Sequence, residues 1–405
     1  ELAERSKGPG GILDRKRVKT FRLDICLVEE QFEMVQYVEK GRKPRWGYFP
    51  KEGHPQAVTR FDGTRITPGF LQAIAYEVYV KNVTFGLLHQ WLGDMGMTVS
   101  ENTLRNWLKK GRKYLDRMVV ELKRIALEKD AVVNCDETWC KVRKYDRYKK
   151  CYMWVLVNKA ERVVIFFYED GSRGRDVLTN FLGDAELKAL MSDGYNAYVF
   201  IGDGLKTHRY KDTDHQVCLA HVRAKFVKAR MEGGDKRADV FLDNINRLFR
   251  FEREYDREMI TDGERTRRRQ GLPTMEAMIN LRANLLQELK SEEEQKSCYM
   301  REALNYLHKF WNEAFTYIKD GRYPISNNLA ERAVRPFTTK RKNSLHFGSD
   351  EGAEIAAVYH SIISTVKLQG RSAWDYLGKF FTGIFNGCRD FLSLTPQNID
   401  LAVCQ

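Results

Sequence analysis

Asp136 in the word CDETW, Asp193 in SDGYNAY and Glu331 in NNLAERAVRP are three acids set in distinctive local sequences and far apart along the chain. Carboxylates drawn together from distant segments repel one another unless cations sit between them. Hard oxygen donors suit Mg²⁺ or Mn²⁺, and two such ions clamp the attacking and leaving oxygens of a phosphodiester. The pattern points to metal-dependent phosphoryl transfer, with Asp136, Asp193 and Glu331 as metal ligands and catalytic residues. The gaps between them are unequal, 57 residues and then 138, and the second is long enough to hold an inserted subdomain.

Other groups bear on the same chemistry. Arg332, Arg335, Lys340, Arg341 and Lys342 place five cations within eleven residues beside the third acid, where they would hold phosphates flanking a reaction centre. Cys218 and His221 form a C-x2-H pair, compatible with half a zinc site. No matching C-x2-C or H-x3-H supplies the other half, so structural zinc is not expected. Glu137 adjoins Asp136, yet successive residues of a strand point in different directions, which argues against a glycosidase-type carboxylate pair. Neither phosphate-binding glycine motif is present, so no nucleotide cofactor is expected.

The chain has 405 residues, 43% of them hydrophobic, enough for substantial cores in two to four domains or subdomains. Its 68 Lys plus Arg against 55 Asp plus Glu give a net charge of +13, which favours a polyanionic partner or serves general solubility. No apolar run suggests a membrane span or a signal-peptide core. The eight cysteines are scattered without a C-x2-C pair, which fits a reduced compartment. A soluble intracellular protein is the expectation.

The elements that must position the acids are legible in outline. Residues 1–60 read as a basic, partly extended arm with one short apolar element near Phe32 to Val38. Residues 61–128 read as helical, with Gly93 and Gly96 breaking the chain and Thr98 with Glu101 forming a capping box before Leu104 and Trp107. This is either a helix-turn-helix, with Arg105, Lys109 and Lys110 touching phosphate, or a helical hairpin with a solvated basic face. From Ala131 the period changes to that of strands, at Ala131 to Cys135, Met153 to Val157 and Val163 to Tyr168. A helix from Gly174 to Leu182 and a strand near Leu187 to Met191 follow, and Ala197 to Ile201 is a candidate start for another element. Asp136 and Asp193 are each expected just past a strand end, facing one crevice.

Residues 237–322 carry only helical stripes, such as Ile245 with Leu248 and Leu281 with Leu285, explained by helix packing. Arg265, Arg267, Arg268 and Arg269 read as a basic loop before Pro273. The segment around Glu331 is expected as a short helix ending at or before Pro336. On it Glu331 shares a face with Asn327, Asn328 and Arg335. A helix from about Gly352 to Leu368 and a helical C-terminal region, 371–405, complete the chain.

The words CDETW, SDGYNAY, CLAHVRAKF at 218–226 and the run from NNLAERAVRP through RKNSLHFGSDEGAE at 327–354 resemble those of DDE transposases of the insertion sequence 66 family. The resemblance covers roughly residues 60–375. It implies an α/β fold with a ribonuclease H-like mixed sheet flanked by helices, divided into core parts 129–236 and 323–370 by an all-α insertion, 237–322. It also implies Asp136, Asp193 and Glu331 as the triad binding two Mg²⁺ or Mn²⁺ ions, Asp136 bridging both. In such an enzyme water cuts one DNA strand at the element end, and the exposed 3′-hydroxyl attacks target DNA. Related enzymes place a Cys or Asp three residues before a His after the second aspartate. Cys218 and His221 would then lie near the active site, with His221 touching the scissile phosphate or serving as a hydrogen-bonded core histidine.

The expected partners are DNA, as element ends and target, a second copy on paired ends, and small accessory proteins of the same element. The location implied is prokaryotic, cytoplasmic and nucleoid-associated. Similar proteins carry an upstream cysteine-rich segment, whereas only Cys26 precedes the core here, so recognition of element ends by such a segment is not assigned. Competing readings are a related nuclease or domesticated recombinase that cuts without joining, and a DNA-binding protein that kept the fold; the intact triad argues against the last.

Overall fold

Two lengths of alternating and apolar sequence set the centre of the fold. In the computed structural model, which describes residues 27–28, 34–38, 43–48, 64, 66–291 and 296–400, the chain divides into two compact units. They are Glu1–Val58 with Gln90–Val99, and Thr59–His89 with Ser100–Gln405. In the first unit β1 (Met34–Tyr37) and β2 (Arg45–Tyr48) pair antiparallel, with Met34 opposite Tyr48. The basic run Arg15 to Arg22 lies outside the described residues.

The second unit is built on a five-stranded mixed sheet, ordered β5-β4-β3-β6-β7. Strands β3 (Val132–Arg143), β4 (Tyr148–Asn158) and β5 (Val163–Glu169) form an antiparallel meander, and β6 (Ala189–Ser192) and β7 (Asp214–Val217) run parallel to β3. The apolar run alone would end β3 at Cys135. The strand continues to Arg143 because β4 supplies partners along the whole length, Asp136 facing Val155. Its pairing with β6 does end early, at Asn134 opposite Met191. Asp136 is thus inside a strand, yet just beyond the point where β6 leaves it. The stretch Ala197 to Ile201 is turn rather than a new strand, and β7, four residues of mixed polarity, starts later.

Helices α1 (Pro68–Tyr79), α2 (Phe85–Asp94) and α3 (Glu101–Ala126) precede the sheet. The cap of α3 is Ser100, whose hydroxyl accepts from the Thr103 N–H at 3.2 Å, and not Thr98. Glu101 instead pairs with Arg105 one turn on, at 2.5 Å. After β5 comes α4 (Arg175–Leu182). Between β7 and residue 320 the described chain has no strand: α5 (Leu219–Met231), α6 (Ala238–Glu258), α7 (Asp262–Arg269), α8 (Leu272–Lys290), α9 (Cys298–Lys309) and α10 (Trp311–Phe315) follow one another. Phe226, Phe241, Ile245, Leu248, Leu281, Leu285, Met300 and Leu307 form their common core, as the helical stripes require.

The arginine run Arg265 to Arg269 differs from its sequence reading, being helical. Its last member is interior: Arg269 donates to both Glu252 carboxylate oxygens at 2.8 Å and to the carbonyls of Tyr317, Asp320 and Tyr323 at 2.7 to 3.0 Å. An acid on α6 and carbonyls at the end of the helical run satisfy all five donors of the guanidinium.

The chain then returns to the sheet in α11 (Asn328–Ser344), followed by α12 (Asp350–Leu368) and α13 (Ala373–Phe385). Helix α11 runs through Pro336 rather than stopping before it. Proline removes one helical hydrogen bond at a cost of about 3 kcal/mol, but Val334 and Phe337 on either side are buried with Met153, Val155 and Phe166 of the sheet. Packing therefore overrides the local break. On the far edge α12 caps β5, with Ser361 and Thr365 hydroxyls accepting from the N–H groups of Phe166 and Val164 at 2.7 and 3.0 Å.

Removing one partner of a buried ion pair strands the other and costs roughly 3–5 kcal/mol. Arg269→Ala is expected to lower the urea midpoint of the full chain by a free energy of that order. Arg268→Ala, whose partners Glu258 and Glu264 are more exposed, should change it by less than about 1 kcal/mol. Comparing the two denaturation curves checks the assignment.

Candidate active site

Parallel register brings the two aspartates level. Asn134 faces Met191 across β3 and β6, and Asp136 and Asp193 each lie two residues further on. With a side-chain period of two, Asp136 projects to the same face of β3 as Asn134, and Asp193 follows directly on the end of β6. Asp193 sits in a turn that only glycine can follow. Gly194 has φ of +80°, and a Cβ there would come 2.7 Å from the Tyr306 hydroxyl. The turn is closed by the Tyr195 N–H donating to Asp193 Oδ1 at 2.9 Å, and by the Tyr306 hydroxyl donating to the Asp193 carbonyl.

Glu331 arrives from the first turn of α11, and the start of that helix is fixed by Asn327. The Asn327 side chain is fully buried. Its amide donates to the Cys135 carbonyl at 2.9 Å and its oxygen accepts from Asn134 Nδ2 at 3.0 Å, while its backbone N–H donates to Cys218 Sγ at 3.1 Å. One turn later Glu331 faces the aspartates closely enough for its charge, with that of Asp193, to act on Asp136.

Burial first, then the neighbouring carboxylates Glu137, Asp193 and Glu331, push the Asp136 carboxyl up to about 8. Glu137 is satisfied separately: Arg173 pairs with it, Nε at 2.6 Å, and the Tyr198 hydroxyl donates to it. Among the described residues no lysine or arginine forms an ion pair with Asp136, Asp193 or Glu331. Three acids, two of which push the third up, that form no ion pair with Lys or Arg among the described residues offer oxygen donors short of positive charge, which divalent cations fit.

Cys218 and His221 join this cluster. Cys218 is the N-cap residue of α5 and His221 lies within its first turn, and both meet the start of α11, Cys218 at the Asn327 N–H and His221 beside Glu331. One donor atom from each of Cys218, His221 and Glu331 lies within 4.8 Å of the others. Burial pushes the Cys218 thiol up to about 11. The His221 Nδ1 is 3.7 Å from Glu331 Oε1, and no hydrogen-bond partner reaches it.

A sequence profile described as "Transposase IS66 family" matches residues 63–355. The chain belongs to the IS66 transposase family. Among curated proteins of Sinorhizobium fredii (strain NBRC 101917 / NGR234) it resembles "Uncharacterized protein y4jD", 25% identical over 82% of this chain and 65% of that protein. It also resembles "Uncharacterized protein y4qI", 27% identical over 58% of this chain and 43% of that protein. The chain thus spans less than two thirds of the relatives it matches.

In this family member the basic residues near Glu331 divide into three kinds. Arg332, Arg335 and Lys342 are exposed on α11. Arg341 is pinned against β3, stacked 3.9 Å over the Trp139 ring and donating to the Thr138 hydroxyl and Trp139 carbonyl. Lys340 departs from its expected role. It is buried, its ammonium donates to the Val78 carbonyl at 3.1 Å and lies 3.9 Å from the Tyr79 ring, and burial pulls it down to about 7. A side chain enclosed between α11 and α1 does not contact phosphate. On α3, Arg105 pairs with Glu101 and Lys109 with Glu351, both at 2.5 Å, and Lys110 is half-buried.

Three residues escape a reading of the sequence: Asn327 beyond its place on the Glu331 face, Tyr306 as the support of Asp193, and Arg173 as the partner of Glu137. For Asn327 a signal is present, a paired NN ahead of the glutamate. Tyr306 and Arg173 act across long sequence separations and leave no local mark.

Membrane-spanning helices do not occur among the described residues, none being long and apolar enough. Because Lys340 has a folded-state pKa below the ordinary 10.5, the unfolded chain binds more protons between about pH 7 and 10. Stability therefore rises with pH through that window, by at most about 1.4 kcal/mol per unit. In Lys340→Met this rise should be flattened while DNA affinity and its salt dependence stay as in the parent. Urea midpoints at about pH 7 and 9.5, with filter binding across a salt series, test both.

Proposed function

We propose that the protein is a DNA transposase of the DDE type, which cuts the ends of a mobile element and joins the freed 3′-hydroxyl to target DNA. The observation that carries this reading is that Asp136, Asp193 and Glu331, far apart in sequence, come within electrostatic reach of one another with no Lys or Arg ion pair to any of them among the described residues. The sheet order, a three-stranded antiparallel meander followed by two strands parallel to its first member, supports a ribonuclease H-like core with the helices between β7 and α11 as an insertion. Membership of the IS66 transposase family supports the substrate class.

Asp136, Asp193 and Glu331 would hold two Mg²⁺ or Mn²⁺ ions, which supply Lewis-acid charge at the attacking and leaving oxygens. Asp136, within electrostatic reach of both other acids, is the one suited to serve both ions. The reaction runs in two displacements. Water attacks the phosphorus at the element end, a proton is released, and the P–O3′ bond breaks to leave a 3′-hydroxyl and a 5′-phosphate. That 3′-oxygen then attacks a target phosphodiester and expels the target's own 3′-oxygen. Tyr306 holds the Asp193 backbone and Asn327 holds the start of α11, so the acids keep their spacing through both steps. Exposed Arg332, Arg335 and Lys342 position the phosphates beside Glu331, and Arg105, Lys109 and Lys110 on α3 extend the contact within a helix-turn-helix-like segment. Paired ends would engage two copies, with accessory proteins of the element as further partners.

Asp136→Ala, Asp193→Ala and Glu331→Ala should each lower Mg²⁺- or Mn²⁺-dependent cleavage of labelled terminal-repeat DNA by roughly three orders of magnitude, while DNA affinity is retained. Full cleavage by any one of them removes that residue from the triad. Cleavage without joining, measured in the same assay with a target duplex, would favour the nuclease reading.

Arg335→Gln and Lys342→Gln should weaken cognate and unrelated duplexes alike and reduce the log-log salt slope by about 0.9 for each phosphate that is no longer neutralised. A changed preference between sequences with an unchanged slope would replace phosphate binding by base readout.

A further inference from the structure

Three donors of different hardness meet at one edge of the carboxylate cluster. Cys218 Sγ, a His221 ring nitrogen and a Glu331 oxygen lie within 4.8 Å of one another, drawn from the N-terminus of α5 and the first turn of α11. The spacing of three along a helix puts the cysteine and histidine on one face. The His221 nitrogen is enclosed and unpartnered, and its distance of 3.7 Å from Glu331 Oε1 is too long for a hydrogen bond but suits two ligands of a common ion. Leaving a buried polar atom unpaired costs about 1–3 kcal/mol, so such an atom beside a carboxylate and near a cysteine is informative. The sulfur is prepared as well, because the Asn327 N–H donates to it at 3.1 Å, a bond that a metal thiolate would keep.

A second group of similar composition makes the contrast. Cys151, Asp170 and Asp350 also gather their donor atoms. There, however, the Lys144 ammonium sits among them, 2.5 Å from Asp350 and 3.0 Å from Asp170, and already supplies the positive charge. Among the described residues no lysine or arginine pairs with Glu331, so the group of Cys218, His221 and Glu331 has no such internal cation.

We propose that Cys218, His221 and Glu331 form a binding site for a borderline divalent ion of the Zn²⁺ or Co²⁺ type, distinct in preference from the all-oxygen Asp136 and Asp193 side. Nitrogen and sulfur donors select such ions over Mg²⁺. Three protein ligands leave a coordination position open, as in exchangeable rather than closed structural zinc sites. The inference rests on the proposed active site only in that Glu331 is shared.

The test is a Co²⁺ titration of the full chain, reduced and metal-free, followed by absorption. One equivalent should give a sulfur-to-cobalt charge-transfer band in the near ultraviolet with visible d–d bands, and Zn²⁺ should displace it. Cys218→Ser should lose the charge-transfer band, and His221→Gln should weaken Co²⁺ binding at least about tenfold. Glu331→Gln should weaken binding but keep the band, and Asp136→Ala should keep both the band and the affinity. Circular dichroism of each variant establishes that it is folded. A band that survives Cys218→Ser, or Co²⁺ binding by the parent with no thiolate band, overturns the proposal. Its failure is separable from that of the transposase reading, because the spectrum requires no DNA. A normal spectrum with no cleavage would sink only the activity, and Mg²⁺-dependent cleavage with no thiolate band would sink only this site.

Discussion

The buried amide of Asn327 is the contact on which the site's assembly depends. It binds the backbone of β3 at Cys135 and the side chain of Asn134, while its own N–H reaches Cys218 at the head of α5. Three segments remote from one another in sequence are thereby fixed at one point. Glu331 lies on neither β3 nor α5, and without this clamp the start of the helix that carries it would be held to the sheet by apolar packing, which tolerates sliding, while Arg341 ties only its far end to β3. Hydrogen bonds made in a dry interior are directional and costly to leave unmade, so they set a register that burial alone does not.

The helices between β7 and α11 contribute in a second way. Their core is large and mostly their own, yet Tyr306 reaches from α9 to the Asp193 carbonyl and occupies the space that forces glycine at 194. The insertion is therefore coupled to the second aspartate, and α5 at its head carries Cys218 and His221 to the third acid. A long excursion of chain between the second and third acids is compatible with a precise arrangement of them because both of its ends are tied there.

The three acids, the meander, the helical insertion and the packing stripes are legible in sequence because each rests on a local pattern: a distinctive word, a period of two, or a period near 3.6. What fails to show is decided by partners remote in sequence. The strand holding Asp136 extends beyond Cys135 because β4 pairs with all of it, a fact no window around CDETW contains. Pro336 sits inside a helix because Val334 and Phe337 fill the sheet face on either side. Lys340 reads as one more cation in a basic run, yet its position on the inner face of α11 encloses it against Tyr79. In a helix the direction of each side chain, more than the composition of the run, decides which charges meet solvent.

The adjacent acids Asp136 and Glu137 show how one short word divides its labour. Alternation along β3 sends the two side chains to opposite faces. Glu137 meets Arg173 and the Tyr198 hydroxyl, and Arg173 in turn stacks 3.8 Å over the Tyr195 ring beside Asp193. That arginine forms its ion pair with Glu137, although its charge also reaches Asp193, and among the described residues no lysine or arginine forms an ion pair with Asp136, Asp193 or Glu331. Had it paired with Asp136 instead, the cluster would be neutralised internally and would have little demand for divalent ions. The glutamate of CDETW thus takes the Arg173 ion pair while its own charge still bears on Asp136, so the two neighbours of one word divide the pairing and the buried carboxyl between them.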